Sequence, residues 1–339
     1  MRLTCSFAAV GLAAGALTAA AQPARPPIVA GSATARVRPG AYQGRAEQTE
    51  RFSRKIKMGR DGRFSVTNIA GDIVVTGGSG DEVEIEAVKR TRGDQRELAA
   101  VEIEVDAGAN RVDVRTVHTT RRDRVSVEYT ITVPRSARVD MRSVSGNLKA
   151  AGVQGALRAE TISGNVVTSA TPGLELARSV SGNVEVTDVA ASGDVKVASV
   201  SGNLRLKAVK ARGLDFNTIS GDVTLADVAC DRLGARSVSG NIEYSGALAK
   251  NGRYDVNSHS GNVRLTLAEA IGFELTGNTF SGSIHSELPL TIGSDTNAGR
   301  GRRRVLSNRS MRATSSRNGD PLQNCRIAEL QNCRIAGRN

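Results

Sequence analysis

Between Val195 and Val209 the apolar positions alternate, slip and alternate again. Val195, Val197 and Ser199 take turns with Lys196 and Ala198, and Val200 then follows Ser199 directly. After Ser201-Gly202-Asn203 the alternation restarts with Leu204, Arg205 and Leu206, and Val209 closes the unit. Period-2 alternation predicts a strand with one buried face. A parity slip between two strands predicts a corner. Gly suits it because it accepts positive φ, and Asn or Asp beside it tolerates a left-handed backbone. The next unit reads the same way: Leu214, Phe216 and Thr218, then Ile219, then Ser220-Gly221-Asp222, then Val223, Leu225 and Val228.

This word recurs eight times, with its glycine at Gly146, Gly164, Gly182, Gly202, Gly221, Gly240, Gly261 and Gly282, spaced 18, 18, 20, 19, 19, 21 and 21 residues apart. An earlier copy, Asn68-Ile69-Ala70-Gly71-Asp72-Ile73, precedes them. A fixed period of this size predicts stacked coils, because one coil cannot bury its apolar face alone whereas several share a core. A hairpin meander would need short loops joining strands of alternating direction. One corner per coil at constant phase instead favours a parallel β-helix with coils of about 19–20 residues, spaced by roughly 4.8 Å. Asn147, Asn165, Asn183, Asn203, Asp222, Asn241 and Asn262 then form one column, expected to bond as an amide ladder. Corner geometry already demands these residue types, so the stripe reads as structural before it reads as a ligand-binding edge.

Arg2, the apolar run to Thr18 and the small residues Ala19-Ala20-Ala21 predict a signal peptide over 1–21 and an exported protein, periplasmic or on the cell surface. Residues 22–50 read as a flexible basic leader. Residues 51–140 read as an N-terminal cap plus first coil, with a helical turn near Gln95–Ala100 and a hairpin turn at Asn110. The solenoid repeats cover 141–292. Residues 293–339 read as an Arg-rich tail, disordered or altered, in which Leu322–Ala328 recurs as Leu330–Ala336. That duplication falls outside the upstream period and predicts no further coil.

The Ser-Val-Ser-Gly-Asn/Asp-Val words, the entry Glu50-Arg51-Phe52-Ser53 and the segment Tyr129-Thr130-Ile131-Thr132-Val133-Pro134 resemble the bacterial candidate-adhesin β-strand-repeat family, a domain of unknown function. The resemblance covers roughly residues 50–292. It implies a right-handed β-solenoid on the envelope side of the membrane. It carries over no catalytic residues. Relatives are candidate adhesins, some linked to envelope-stress responses. The duplicated Cys segment stands where the family would place another Gly-corner strand.

The formal net charge of +12 is unevenly placed. Residues 25–60 hold nine Lys/Arg against two Asp/Glu, and residues 300–339 hold ten Arg against two acids, while the body 61–299 is mildly acidic. Such flanks suit anionic surfaces, with Arg300, Arg302, Arg303 and Arg304 as candidate contacts to lipid headgroups or acidic polymers. With no Trp, four Tyr and six Phe, stacking platforms for nucleic acid are missing, and export argues against that partner too. Cys5 falls within the signal. Cys230 reads as a small buried residue, and Cys325 and Cys333 could pair with each other. No zinc spacing or calcium nonapeptide is present, and no cofactor is implied.

Parallel β-helices also include polysaccharide-cleaving enzymes, whose sites need clustered carboxylates or basic residues on one face. Here the outward positions are mixed: Arg158, Glu160, Glu185, Lys196, Arg205, Lys207, Asp215 and Thr224. Asp188 and Asp227 share a phase, but Ala208 and Val209 interrupt them. His118, His259 and His285 are scattered, and the corner serines have no His or Asp at fixed offset. The expected function is therefore a non-catalytic exported solenoid that binds an envelope protein or an anionic surface polymer. A polysaccharide-active enzyme and an envelope-stress sensor are the alternatives.

Overall fold

A computed structural model describes residues 47–119, 124–267, 273–279, 291–293, 309–315, 324–325 and 332–337. The signal segment 1–21, most of the leader, Gly282, His285 and Arg300, Arg302, Arg303 and Arg304 lie outside the described residues. The chain is nearly all β and forms a parallel β-solenoid of about seven turns, with coils about 19 residues apart.

Register settles the choice between solenoid and meander. Strand Asp194–Ser201 pairs parallel with the next coil through Val195↔Leu214, Val197↔Phe216 and Ser199↔Thr218. That coil pairs parallel with its successor through Leu204↔Val223, Leu206↔Leu225, Val209↔Val228 and Phe216↔Ala235. Each residue therefore sits over its own repeat equivalent, and inward positions stay inward. Val195, Val197, Leu204, Leu206, Val209, Phe216 and Leu225 are all buried. Bulk varies along a column: Phe216 has Val197 below it and Ala235 above it, so one large side chain fills the space its neighbours leave. Burying each such Leu, Val or Phe contributes about 1.5–3 kcal/mol.

The copy at Asn68–Ile73 is a true coil. Strand Arg63–Ala70 pairs parallel with Arg138–Ser145, Asn68 opposite Ser143. Strand Ile73–Gly78 pairs parallel with Leu148–Ala151. Everything between is an excursion that returns underneath. Strands Arg111–His118 and Ser126–Pro134 pair parallel with the other edges of this coil, through Phe64↔Val112 and Ile73↔Tyr129. Asn68, which replaces the usual Ser or Thr, is fully buried there. Its amide donates to the Val127 carbonyl (2.7 Å), and its Oδ1 accepts from Thr116 Oγ1 (2.9 Å), which also bonds the Tyr129 hydroxyl (2.7 Å). The longer side chain thus ties the coil to the excursion beneath it.

Strand Glu82–Thr91 lies antiparallel on Ser126–Pro134, Gln48–Lys57 antiparallel on Glu82–Thr91, and Val101–Gly108 antiparallel on Arg111–His118. The helical turn Gln95–Leu98 and the turn at Ala109–Asn110 fall where the pattern predicts them. The outer strands carry Arg51, Arg54, Lys55 and Lys57 on one side and Glu102, Glu104 and Asp106 on the other. Charged edges of this kind discourage unwanted strand addition.

At the far end, Arg309–Ser315 and Asn332–Gly337 lie antiparallel to Phe273–Thr279. The two copies of the duplicated heptapeptide each contribute a short strand, with Cys325 opposite Leu265 and Cys333 opposite Val256. These strands do not continue the coil. The repeat pattern gives no sign of them, because an open ladder edge accepts backbone hydrogen bonds from a strand of either direction, whatever its side-chain period.

The second corner of each coil has a backbone signature of its own. Gly152, Ala170, Asp188, Ala208 and Asp227 all adopt left-handed φ values between 51° and 68°. Asp188, Ala208 and Asp227 therefore share one column, and Ala208 does not interrupt it. Asp relieves the steric cost of this conformation and Ala does not. Ala208→Asn should accordingly raise stability by about 0.5–1 kcal/mol, read as a higher midpoint in a urea titration with unchanged slope.

Candidate interaction surface beside the glycine corner

The first corner is built from backbone approach. Gly164 has φ of 144°, and a Cβ there would lie 2.2 Å from the Gly146 carbonyl oxygen one coil below. The same contact repeats at Gly146, Gly182, Gly202, Gly221, Gly240 and Gly261, each against the corner beneath it. Beside it, the Asn column bonds differently from the predicted amide-to-amide ladder. Asn147 Oδ1 accepts from the backbone N–H of Asn165, Asn165 Oδ1 from Asn183, Asn183 Oδ1 from Asn203, and Asn203 Oδ1 from Asp222, each at 2.9 Å. Only an acceptor oxygen is required, which explains why Asp72 and Asp222 fit the column. Asn183→Asp should then leave stability nearly unchanged at neutral pH. Asn183→Leu should cost about 1 kcal/mol by orphaning the Asn203 N–H, as measured by chemical denaturation.

On the other side of the glycine, the Ser/Thr column is buried. Ser179 Oγ donates to the Gly164 carbonyl (2.8 Å) and Ser199 Oγ to the Gly182 carbonyl (3.1 Å). Between this column and the glycines runs a row that the pattern misplaces. The Ser, Gly and Asn of the corner predict turn-forming side chains at this edge. Instead Ile69, Val144, Ile162, Val200, Ile219 and Val238 stand exposed, Ile219 at 53 %. With half-buried Val180 they make one aliphatic ridge along the stack, which His259 ends. The physical reason is parity. The Ser or Thr already occupies the inward position, so the next residue must point out, whatever its polarity.

A trough of about 860 Å³ lies against this ridge. Its floor is the register row Arg178↔Ala198↔Asn217↔Arg236, low at Ala198 and Asn217. One wall is Val200, Ile219 and Val238, and the other is Leu176, Lys196 and Asp215. Elsewhere surface charges pair. Arg158 Nε lies 2.8 Å from Glu175, and Arg142 lies 3.2 Å from Asp140. At Asp194, desolvation pushes the carboxyl pKa up, but Arg212 and Arg232 outweigh it and hold it below the usual range.

Other candidate groups do not converge. Among the described residues no three His, Cys, Asp or Glu side chains cluster as a metal site. His118 ends a strand of the excursion, far in sequence and coil from His259 on the ridge. Cys230 is buried and free, and burial pushes its thiol pKa up to about 12, so it is no nucleophile at neutral pH. Burial likewise raises Tyr129 and Tyr254 to about 12.

Fold and surface together define a repeat protein whose regular outer columns present an aliphatic ridge and a trough beside it. The Toastrack family model, DUF4097, matches residues 63–311, and the chain belongs to that family, a domain of unknown function. Solved structures with a similar trace include a candidate cell-adhesion protein from Clostridium sporogenes, 8 % identical over 54 % of this chain and 99 % of that one, with a TM-score of 0.31. A candidate adhesin from Bacteroides fragilis is 18 % identical over 59 % of this chain and 90 % of that one, with a TM-score of 0.36. A candidate lipid-binding protein from Parabacteroides distasonis is 13 % identical over 64 % of this chain and 96 % of that one, with a TM-score of 0.30. No curated protein matches the chain in sequence.

Proposed function

We infer that this protein is an exported, non-catalytic β-solenoid that serves as a cell-envelope interaction module of adhesin type. The observation that carries the reading is the aliphatic ridge beside the glycine corner, exposed on a stack whose core is otherwise fully buried. Contiguous exposed apolar surface rimmed by polar groups marks interaction sites. The signal-like start Arg2–Ala21 supports export. Among the described residues no helix is long and apolar enough to cross a membrane. In this reading residues 51–140 cap one end of the stack. The Arg300, Arg302, Arg303 and Arg304 cluster adds a salt-sensitive contact to an anionic surface polymer or lipid headgroups.

The test is retention of purified protein by envelope fractions. The double variant Ile162→Asp, Ile219→Asp should be retained at least tenfold less than the wild type, with an unchanged far-UV spectrum. Equal retention of both proteins would count against the reading. Turnover of a uronic-acid polymer, abolished by one carboxylate substitution, would favour the enzyme instead.

A further inference from the structure

We propose that the trough over Ala198 and Asn217 binds a single-chain anionic amphiphile, an alkyl chain ending in a phosphate or carboxylate; this deepens the interaction-module reading by naming a ligand class for the same surface. Three observations carry it. The trough is lined by Leu176, Val200, Ile219 and Val238, all outward-facing aliphatic side chains. It runs along the stack across five coils, from that of Leu176 to that of His259, or about 19 Å at the ordinary strand spacing. That length accommodates an acyl chain reaching the ~15 Å depth of one membrane leaflet, half of a ~30 Å hydrocarbon core.

The charge is the second observation. Arg178 and Lys196 are exposed on neighbouring coils at one end of the trough, and neither lies in an ion pair among the described residues, unlike Arg158, Arg212 and Arg232 on the same sheet. Two uncommitted cations beside an aliphatic strip complement one anionic head on an apolar tail.

The third observation sets direction. Asp215 stands on the wall one coil beyond Lys196 and repels an anion placed midway. Arg236 at the other end of the floor is a single cation, whereas Arg178 and Lys196 together offer two on neighbouring coils, so the head sits at the Arg178–Lys196 end and the tail lies over Ala198 and Asn217 against Val200, Ile219 and Val238.

The experiment is calorimetric titration of the full chain with dodecyl phosphate below its micelle concentration, beside dodecyl maltoside and inorganic phosphate. Dodecyl phosphate should bind one to one, weakening as salt rises, with at least tenfold weaker binding of the other two. Ala198→Trp fills the floor and should weaken binding at least tenfold. Arg178→Gln with Lys196→Gln, both exposed and harmless to folding, should weaken it at least fivefold and remove most of the salt dependence. Equal binding of dodecyl maltoside, or unchanged affinity in the Gln pair, would overturn the proposal. So would sedimentation showing that a second copy occupies the ridge and leaves with Ile219→Asp. If dodecyl phosphate fails to bind while envelope retention still depends on Ile162 and Ile219, only this inference falls. If retention is also insensitive to them, the interaction-module reading falls as well.

Discussion

Gly164→Ala should lower stability by about 2–6 kcal/mol, combining ~1–3 for strain at a φ that L-residues avoid with ~1–3 for forced backbone movement. The position has φ of 144°, and the added methyl would meet the Gly146 carbonyl oxygen at 2.2 Å. The obstacle is backbone, so no side-chain rotation relieves it. Coils above and below must separate, and nearest-neighbour coupling spreads the damage along the stack. For a body of this size the melting temperature should fall by roughly 4–24 °C, since ~1 kcal/mol corresponds to 2–4 °C. Gly193→Ala is the control. No atom lies within 4 Å of its Cβ position, so stability should stay level or rise slightly. Equal effects of the two substitutions in a thermal scan would refute the corner packing.

Phe216→Ala should cost about 3–5 kcal/mol, whereas Ile219→Ser should cost under ~0.5 kcal/mol and instead weaken partner binding. The two residues are three apart in one repeat word and look equally core-like on paper. Phe216 is fully buried between Val197 and Ala235, and its loss leaves a cavity that two small neighbours cannot fill. Ile219 is 53 % exposed on the ridge. Paired urea titrations and envelope-retention assays would separate them. A large stability loss at Ile219 would mean that the ridge belongs to the core.

Much of the architecture was legible because the repeat is strict. The slip at Ser199-Val200, the Gly202 corner and the restart at Leu204 each mark one feature of the coil. The copy at Gly71 was legible too, although 74 residues separate Gly71 from Gly146 and a whole excursion of strands lies between them. Less legible was where that excursion goes. Alternation in Arg111–His118 and Ser126–Pro134 announces strands, but not that they pair beneath the first coil rather than above it. Two edges were open to them, and side-chain period does not distinguish edges. The duplicated tail was opaque for a related reason: its strands add antiparallel to an open edge, and only there does Ile335 find the core that buries it.

The surface was the least legible part. The repeat places Asn183 and Asp222 at one phase, but the bond each makes is to a backbone N–H of the next coil, which needs three-dimensional register to identify. Val200, Ile219 and Val238 look like core residues by composition. Their side-chain direction follows from the buried hydroxyl before them, and that is visible only once the coil closes.

By itself, the sequence determined the unit: strand, glycine corner, strand and second turn, repeated with a period that compels stacking, because alternation and tolerated φ are local properties. Tertiary structure alone decided what the stacked units present outward. The aliphatic ridge, the trough over Ala198 and the uncommitted charges of Arg178 and Lys196 arise where residues some 20 positions apart come within one strand spacing of each other, about 4.8 Å. No local rule reaches across a full coil.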